Sequence, residues 1–443
     1  MKLHRMIYYA AACLQGTPLR QELAAAQERQ YWSQDKLEDW QLSKLNQLLR
    51  HAKQNTDLYA GLPSGPLHSL SDLNELPFLT KSDLRNDSAR LVAEGWERSA
   101  ITKITSGSTG APVKLLRSRH AISVELSTTW RAMAWAGIEP GDRQSRFWGV
   151  PEGLVPRAKA RLTDTVTNRF RYSAFGFDPD SLQRFHRLML RKKPKYCYGY
   201  VSMLRAVAEY LDGNGLQPPS SVKAVIPTAE PLSTRDRTLF ESAFQAPVFN
   251  EYGCGELGTI AHECEHGSLH VNCDSLIVEV IPAPSSSNRT SNVGEVVVTD
   301  LFNYAQPLIR YRLSDLASLE TENCACGRTL PLMGEVAGRE CDIFQNKHGR
   351  FFHTEFFSYI FEDLQIQLGV SVNGLRLTQH SPDHLTLEVA DPSEDFVNQV
   401  KEYVHDRLQR SFSDTVTLDV QLVDHIAREP SGKLRLARRD QNA

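Results

Sequence analysis

The sequence predicts an α/β fold with added sheet hairpins, followed by a smaller α+β unit. Between residues 100 and 335, the β-rich runs KAVIPTAEPL, APVFNEYG, LIVEVI and GEVVVTDL alternate with the helix-like SLQRFHRLMLRK and SMLRAVAEYLDG. Such alternation is the mark of helices layered on sheet. After Arg339 the texture changes to GLRLTQHS, HLTLEVAD, a helix across EDFVNQVKEYVHDRLQR and then VTLDVQLVD. A chain of 443 residues also exceeds what one small core organises. The boundary is placed near Gly338, giving an N-terminal domain of residues 1–337 and a C-terminal domain of residues 338–443. No internal repeat is visible.

The elements follow in order. MKLHRMIYYAAACLQG mimics a lipoprotein signal ending at Cys13, but its short, Tyr-containing apolar stretch reads better as an amphipathic helix. Residues 18–60 are charged and rich in Leu and Ala, and WQLSKLNQLLRHA has helical apolar spacing. Pro63, Pro66 and Pro77 make residues 62–92 a loop-rich connection. PAPSSSNRTSN, residues 282–292, is a polar surface loop between two strands.

Composition excludes several function classes. Hydrophobic residues are 41% and charged residues 23% of the chain, which carries no disorder signature. The formal net charge of -3 gives no basic surface for nucleic acid. No apolar run is long enough to span a bilayer, so no membrane partner is expected. Eight cysteines at irregular spacing suit reduced thiols in a cytoplasmic protein better than a disulfide framework.

The sharpest local feature is ITSGSTGAPVK, residues 104–114. Small residues let backbone N–H groups approach phosphate oxygens, and hydroxyls add donors. It is not a Walker A loop, because no Gly-Lys-Ser/Thr follows the second glycine. Taken alone, such a turn is equally a flexible surface loop.

Further motifs give the loop a context. EYGCGELG (251–258), PLIRYRLSDLASL (307–319), GEVAGRECDIF (334–344) and REPSGKLRLARR (428–439) follow it in order. Together with TSGSTGAPVK they resemble the phosphate-binding, aromatic-Gly-x-x-Glu, ribose-binding, hinge and catalytic-lysine segments of the adenylate-forming superfamily. The CACGR tract, PLIRYRLSD and LPFLTKSDLRN are most similar to its phenylacetate–CoA ligase branch. The resemblance covers residues 100–440. It implies a large adenylate-forming domain of mixed sheets and helices, and a small mobile C-terminal domain carrying a catalytic lysine.

Adenylation brings two anions together, a carboxylate and the α-phosphate of ATP, and must stabilise the added charge. By resemblance, Ser106, Gly107, Ser108, Thr109 and Gly110 cradle the β- and γ-phosphates, and Lys114 supports the loop unless it is a solvated surface cation. Glu256 holds Mg²⁺, a hard cation that takes oxygen ligands; by itself it reads as a helix-start carboxylate. Tyr252 lies beside adenine or the acyl group, and Glu230 and Pro231 mark the chain passing over adenine. Asp315 accepts from the ribose hydroxyls, preceded by Ser314 where the family has Gly. Arg339 contacts ribose or phosphate beside the hinge. There the family's Asp or Lys two residues later is replaced by Cys341, followed by Asp342. Lys433 neutralises charge on the carboxylate and α-phosphate, then leaves as the small domain rotates for the thiol step.

Cys264, His266, His270 and Cys273 cluster, and Cys324 and Cys326 follow about fifty residues later. Thiolates and imidazoles in sets of four suit tetrahedral Zn²⁺; buried thiols and surface histidines are the plain alternative. The related ligases' Cys-x5-His with Cys-x-Cys favours a structural zinc on Cys264, His270, Cys324 and Cys326, with His266 in reserve and His262 and Cys254 as weaker candidates.

The expected activity is therefore ATP-dependent activation of a carboxylic acid, with transfer from acyl-AMP to coenzyme A. The alternatives are transfer to a carrier-protein thiol or an amine, or a catalytically silent nucleotide-binding relative. Trp130, Trp135, Phe147, Trp148, Tyr198 and Tyr200 are candidate linings of a pocket suited to aryl acids, although aromatics also fill cores. Relatives are often homodimers.

Overall fold

Helices α1 (Lys2–Leu14), α2 (Leu19–Arg29) and α3 (Gln34–Asn55) open the chain. The computed structural model describes residues 2–105, 113–148, 154–173, 179–281, 293–334, 336, 338–339, 343–347, 351–353, 357, 360–361, 364, 374–390, 394–427 and 436–440. Two compact units emerge, one of Met1–Leu313 with Ala317–Val336, the other of Ser314–Leu316 with Ala337–Ala443.

The proline-punctuated stretch 62–92 is more ordered than its prolines suggest. It contains a 3-10 turn at Leu70–Glu75 and the short helices α4 (Lys81–Asn86) and α5 (Ser88–Leu91). Reciprocal side-chain caps, Ser69 with Asp72 and Thr80 with Asp83, satisfy first-turn amides that prolines cannot compensate.

In the first unit, β1 (Ile101–Thr105) and β2 (Val113–Arg117) form an antiparallel pair running from Ile101 opposite Arg117 to Thr105 opposite Val113. Helix α6 (Arg119–Trp135) leads to β3 (Gln144–Trp148), α7 (Leu154–Val166), β4 (Arg169–Ser173), α8 (Pro179–Lys192), β5 (Tyr196–Tyr200), α9 (Val201–Gly213), β6 (Ala224–Thr228) and α10 (Thr234–Phe244). These strands are parallel. Strand β7 (Glu251–Cys254) joins β6 in parallel, β8 (Gly258–Glu263) and β9 (Leu269–Val271) extend the sheet antiparallel, and β13 (Leu319–Glu320) and β14 (Leu332–Met333) finish its edge. The order is β13-β14-β9-β8-β7-β6-β5-β3-β4.

Parallel strands are covered on both faces. Phe147, Tyr172, Cys197 and Val225 pack against Met189, Leu204, Phe240 and Phe244 from α8 to α10. On the opposite face, Tyr196, Ala224 and Ile226 meet Met133 and Trp130 of α6. Each fully buried large apolar side chain contributes about 1.5–3 kcal/mol. A second region pairs β10 (Leu276–Ile281) with β11 (Gly294–Asp300), followed by β12 (Tyr311–Ala317).

In the second unit, β15 (Gly338–Arg339) sets Arg339 opposite Asp315. The pair β16 (Ile343–Gln345) and β17 (Phe351–His353) precedes β18 (Leu375–Ser381), β19 (His384–Val389), α11 (Glu394–Ser411), β20 (Thr417–Leu422) and β21 (Ala437–Arg439). The last four strands form one sheet ordered β20-β19-β18-β21. Leu375, Leu377, Leu385 and Leu387 bury their side chains with Val400, Val404 and Leu408 of α11. No helix of the described residues is long and apolar enough to cross a membrane.

Candidate active site

The EYGCGELG motif folds as β7, a tight turn and the start of β8. A Cβ on Gly253 would lie 2.3 Å from the carbonyl oxygen of Gly258. Gly258 itself has φ +82°, and its Cβ would strike the Glu125 carboxylate at 2.4 Å. Both glycines are thus required by close approach. Glu256 occupies the turn, 7% exposed, rather than a helix start. Tyr252 is half-buried at the edge of the main core.

The turn is held from below by a residue that the sequence did not single out. Arg117, 2% exposed at the end of β2, donates from Nη1 to the Glu256 carbonyl at 2.6 Å. Its Nη2 lies 3.2 Å from both Glu125 and Asp300. Lys103 of β1 reaches Glu125 at 3.0 Å. Burial disfavours the Arg117 charge, but Asp300 and Glu125 outweigh it and hold its pKa above the usual value. The strand pair that brackets the Gly/Ser/Thr loop is therefore tied to the Glu256 turn.

Glu230 closes the first turn of α9, accepting from the Ser202 amide at 2.6 Å and its hydroxyl at 3.1 Å. A carboxylate at a helix N-terminus satisfies an orphan donor there. Pro231 follows it in the β6–α10 connection. Lys114 is exposed on β2. Asp315 lies on β12 at 8% exposure. Ser314, standing where the family has glycine, has φ +58°, in the left-handed region that favours glycine. Ser106, Gly107, Ser108, Thr109, Gly110, Cys341, Asp342 and Lys433, and the loop 282–292, lie outside the described residues.

The aromatic candidates separate. Phe147 packs edge-on to Phe185 at 5.3 Å in the core, so it lines no pocket. Trp135 sits edge-on to His262 and His270 and donates to Gln30 at 2.9 Å. Trp130 donates to the Tyr8 hydroxyl at 3.0 Å. On the other face from Phe147, Trp148 stacks with Tyr200 at 4.3 Å and with Tyr198 at 5.9 Å. Tyr198 donates to Glu251 at 2.8 Å.

Cys264, His270, Cys324 and Cys326 converge, their donor atoms all within 4.8 Å of one another. The Cys264 and Cys324 sulfurs are 3.6 Å apart, and His270 Nε2 is 3.2 Å from the Cys326 sulfur. Antiparallel pairing of β14 with β9, which sets Leu332 opposite His270, draws the two segments together. His270 Nδ1 lies 3.0 Å from the Leu330 carbonyl, which can only accept, so Nδ1 carries the proton and Nε2 is left as the donor atom. Amides of His266 and Cys326 point to the Cys264 and Cys324 sulfurs at 3.4 and 3.5 Å. The His266 side chain is exposed, and only its amide serves the cluster. Burial pushes the Cys264 thiol up to about 12. Burial acts the same way on Cys324, but hydrogen bonds from Ser268 and Cys326 prevail and its thiol lies below the usual value. Three sulfurs and one imidazole with this proton placement fit a tetrahedral zinc site.

No family model matches the chain. Protein CapK of Staphylococcus aureus is 21% identical over 408 residues, spanning 90% of this chain and 88% of that protein. Phenylacetate-coenzyme A ligase of Thermus thermophilus is 25% identical over 433 residues, spanning 90% and 96%. Among solved structures, 2-hydroxyisobutyryl-CoA ligase in the postadenylation state with 2-HIB-AMP superimposes with TM-score 0.71 at 22% identity, covering 93% of this chain and 91% of that one. The chain shares the fold of that 2-hydroxyisobutyryl-CoA ligase. In sequence it resembles the phenylacetate–coenzyme A ligases.

Proposed function

We propose that this chain is an AMP-forming acid–thiol ligase, converting a carboxylic acid and ATP to acyl-AMP and passing the acyl group to coenzyme A. The observation that carries the reading is the buried Glu256 in a glycine-constrained turn, tied by Arg117 to the strand pair bracketing the Gly/Ser/Thr loop. Phenylacetate-coenzyme A ligase matches the chain across 96% of its own length, which supports the same activity here.

In this reading Glu256 supplies an oxygen ligand to Mg²⁺, which shields the phosphates when bound. The hydroxyls and amides of 106–110 hold the β- and γ-phosphates, with Lys114 in support. Tyr252, Glu230 and Pro231 serve adenine, and Asp315 and Arg339 serve the ribose. Lys433, on a small domain of residues 338–443 that moves between half-reactions, offsets charge at the α-phosphate. Cys264, His270, Cys324 and Cys326 hold a structural zinc that pins two loops. Reduced cysteines fit work in the cytoplasm; none of those described is in a disulfide.

An ATP–pyrophosphate exchange screen over aryl, aliphatic and amino acids tests the first half-reaction. AMP release with coenzyme A, carrier protein or amines supplied separately tests the second. Acid-dependent exchange with release stimulated by coenzyme A is expected. Exchange with no acid, or release only with carrier protein or amine, would overturn the assignment.

A further inference from the structure

Parallel pairing of β3 with β4 and β5 sets Arg146 opposite both Arg171 and Tyr198, and Gln144 opposite both Arg169 and Tyr196. Every second side chain of a strand shares a face, so this face of the sheet carries three guanidinium groups among tyrosines. Two have a counter-ion: Arg169 and Arg171 converge on Asp164 at 2.5 and 2.8 Å. Arg146 has none among the described residues. Its Nε is buried without a hydrogen-bond partner. Its guanidinium lies over two rings, 4.7 Å from the centre of Trp148 and 5.1 Å from that of Tyr198.

Ring faces offset part of the cost of taking a cation from water. They give a planar fork of five N–H donors nothing to donate to along its edge. Burial disfavours the Arg146 charge and depresses its pKa, and Arg169 and Arg171 add to the effect. An arginine held this way lacks an anion. The position is suited to receiving one, because Arg146 lies two residues before the carboxyl end of β3, a parallel strand flanked on both sides. Ligands of α/β sheets bind outside those ends. The Trp148, Tyr198 and Tyr200 rings form an aromatic shelf beside it.

We propose that the acid activated by this chain carries a second carboxylate, which Arg146 binds while the aromatic shelf takes the apolar body between the two acid groups. This rests on the acid-activating reading above and narrows its substrate class to dicarboxylic acids. The carboxylate that reacts is the one facing ATP; the other keeps its charge and forms the fork-to-fork contact that guanidinium geometry favours.

The test pairs monoacids with diacids of the same skeleton, phenylacetate with the phenylenediacetates and hexanoate with adipate, in pyrophosphate exchange. Wild-type enzyme should favour the diacid by about 10- to 100-fold in kcat/KM, carried by KM, the worth of one charge-assisted contact. Arg146→Met should lose at least about tenfold more on the diacid than on the monoacid, and Arg146→Lys should recover part of the difference. Equal wild-type use of both acids would overturn the proposal while leaving the ligase reading intact, and so would equal losses on both in Arg146→Met. Calorimetric binding of the two acids to wild-type protein without ATP gives the same ranking independently of turnover. If no acid supports exchange, the ligase reading falls, and the calorimetric ranking alone decides whether Arg146 holds a second carboxylate. Should Arg146→Met fail to fold, the wild-type ratio and its KM dependence decide.

Discussion

The main-chain carbonyl of Glu256 accepts a 2.6 Å hydrogen bond from Arg117, a residue 139 positions earlier in the chain. One buried guanidinium thus fixes the turn that presents Glu256 and is shared between Glu125, which Lys103 also meets, and Asp300. Arg117→Met leaves these acids short of their buried cation, at a cost of about 3–5 kcal/mol. Arg117→Lys should fold better yet need more Mg²⁺ for half-maximal exchange, because a point charge cannot span all three acceptors. An unchanged Mg²⁺ requirement in a folded Lys variant would confine Arg117 to stability.

Asp274 is wholly buried between Arg131 at 2.9 Å and Arg29 at 2.8 Å. Burial raises its pKa, but the two arginines prevail and hold it below the usual carboxylate value. A depressed folded pKa gives stability that is present above the unfolded value, about 3.9, and is lost as pH falls through the folded one. Asp274→Asn should therefore cost about 3–5 kcal/mol at neutral pH. In urea titrations the gap from wild type should narrow only below about pH 4.

Native protein should contain about one zinc per chain. Cys326→Ser removes a donor 3.2 Å from His270 and should lower both metal content and melting temperature. Plasma emission spectrometry and scanning calorimetry on the same samples check it. Native protein free of zinc would remove the metal from the account.

Lys433→Ala should abolish acid-dependent pyrophosphate exchange while largely sparing ATP binding. Given pre-formed acyl-AMP, the variant should still form thioester, because the lysine serves only the first step. Wild-type exchange rates would sink its assignment.

Much of the fold was legible because its signals are local. LIVEVI and GEVVVTDL became β10 and β11, and SMLRAVAEYLDG became α9, each from its own periodicity. That Cys264, His270, Cys324 and Cys326 come together was readable from the Cys-x5-His and Cys-x-Cys tracts shared with related ligases, whereas spacing alone left His266 and Cys273 beside them. What stayed hidden depends on strands that meet only in space. Nothing near Arg117 announces Glu125, Asp300 and the Glu256 carbonyl as its partners. Phe147 and Trp148 look equivalent in a list of aromatics. Adjacent residues of a strand point to opposite faces, and once the strand exists one is core and the other is shelf. Arg146 was unreadable for the same reason, because a missing partner is visible only when every neighbour is in place.

The sheet order also sets a timetable. Strand β14 docks on β9 at one margin of the nine-stranded array, and β9 is itself reached through the β7–β8–β9 meander. Cys324 and Cys326 can join Cys264 and His270 only after that margin is laid down, since non-local pairings come late. In refolding experiments the reactivity of these two sulfurs toward a disulfide reagent should fall last, giving an intrinsic clock for completion of the large unit.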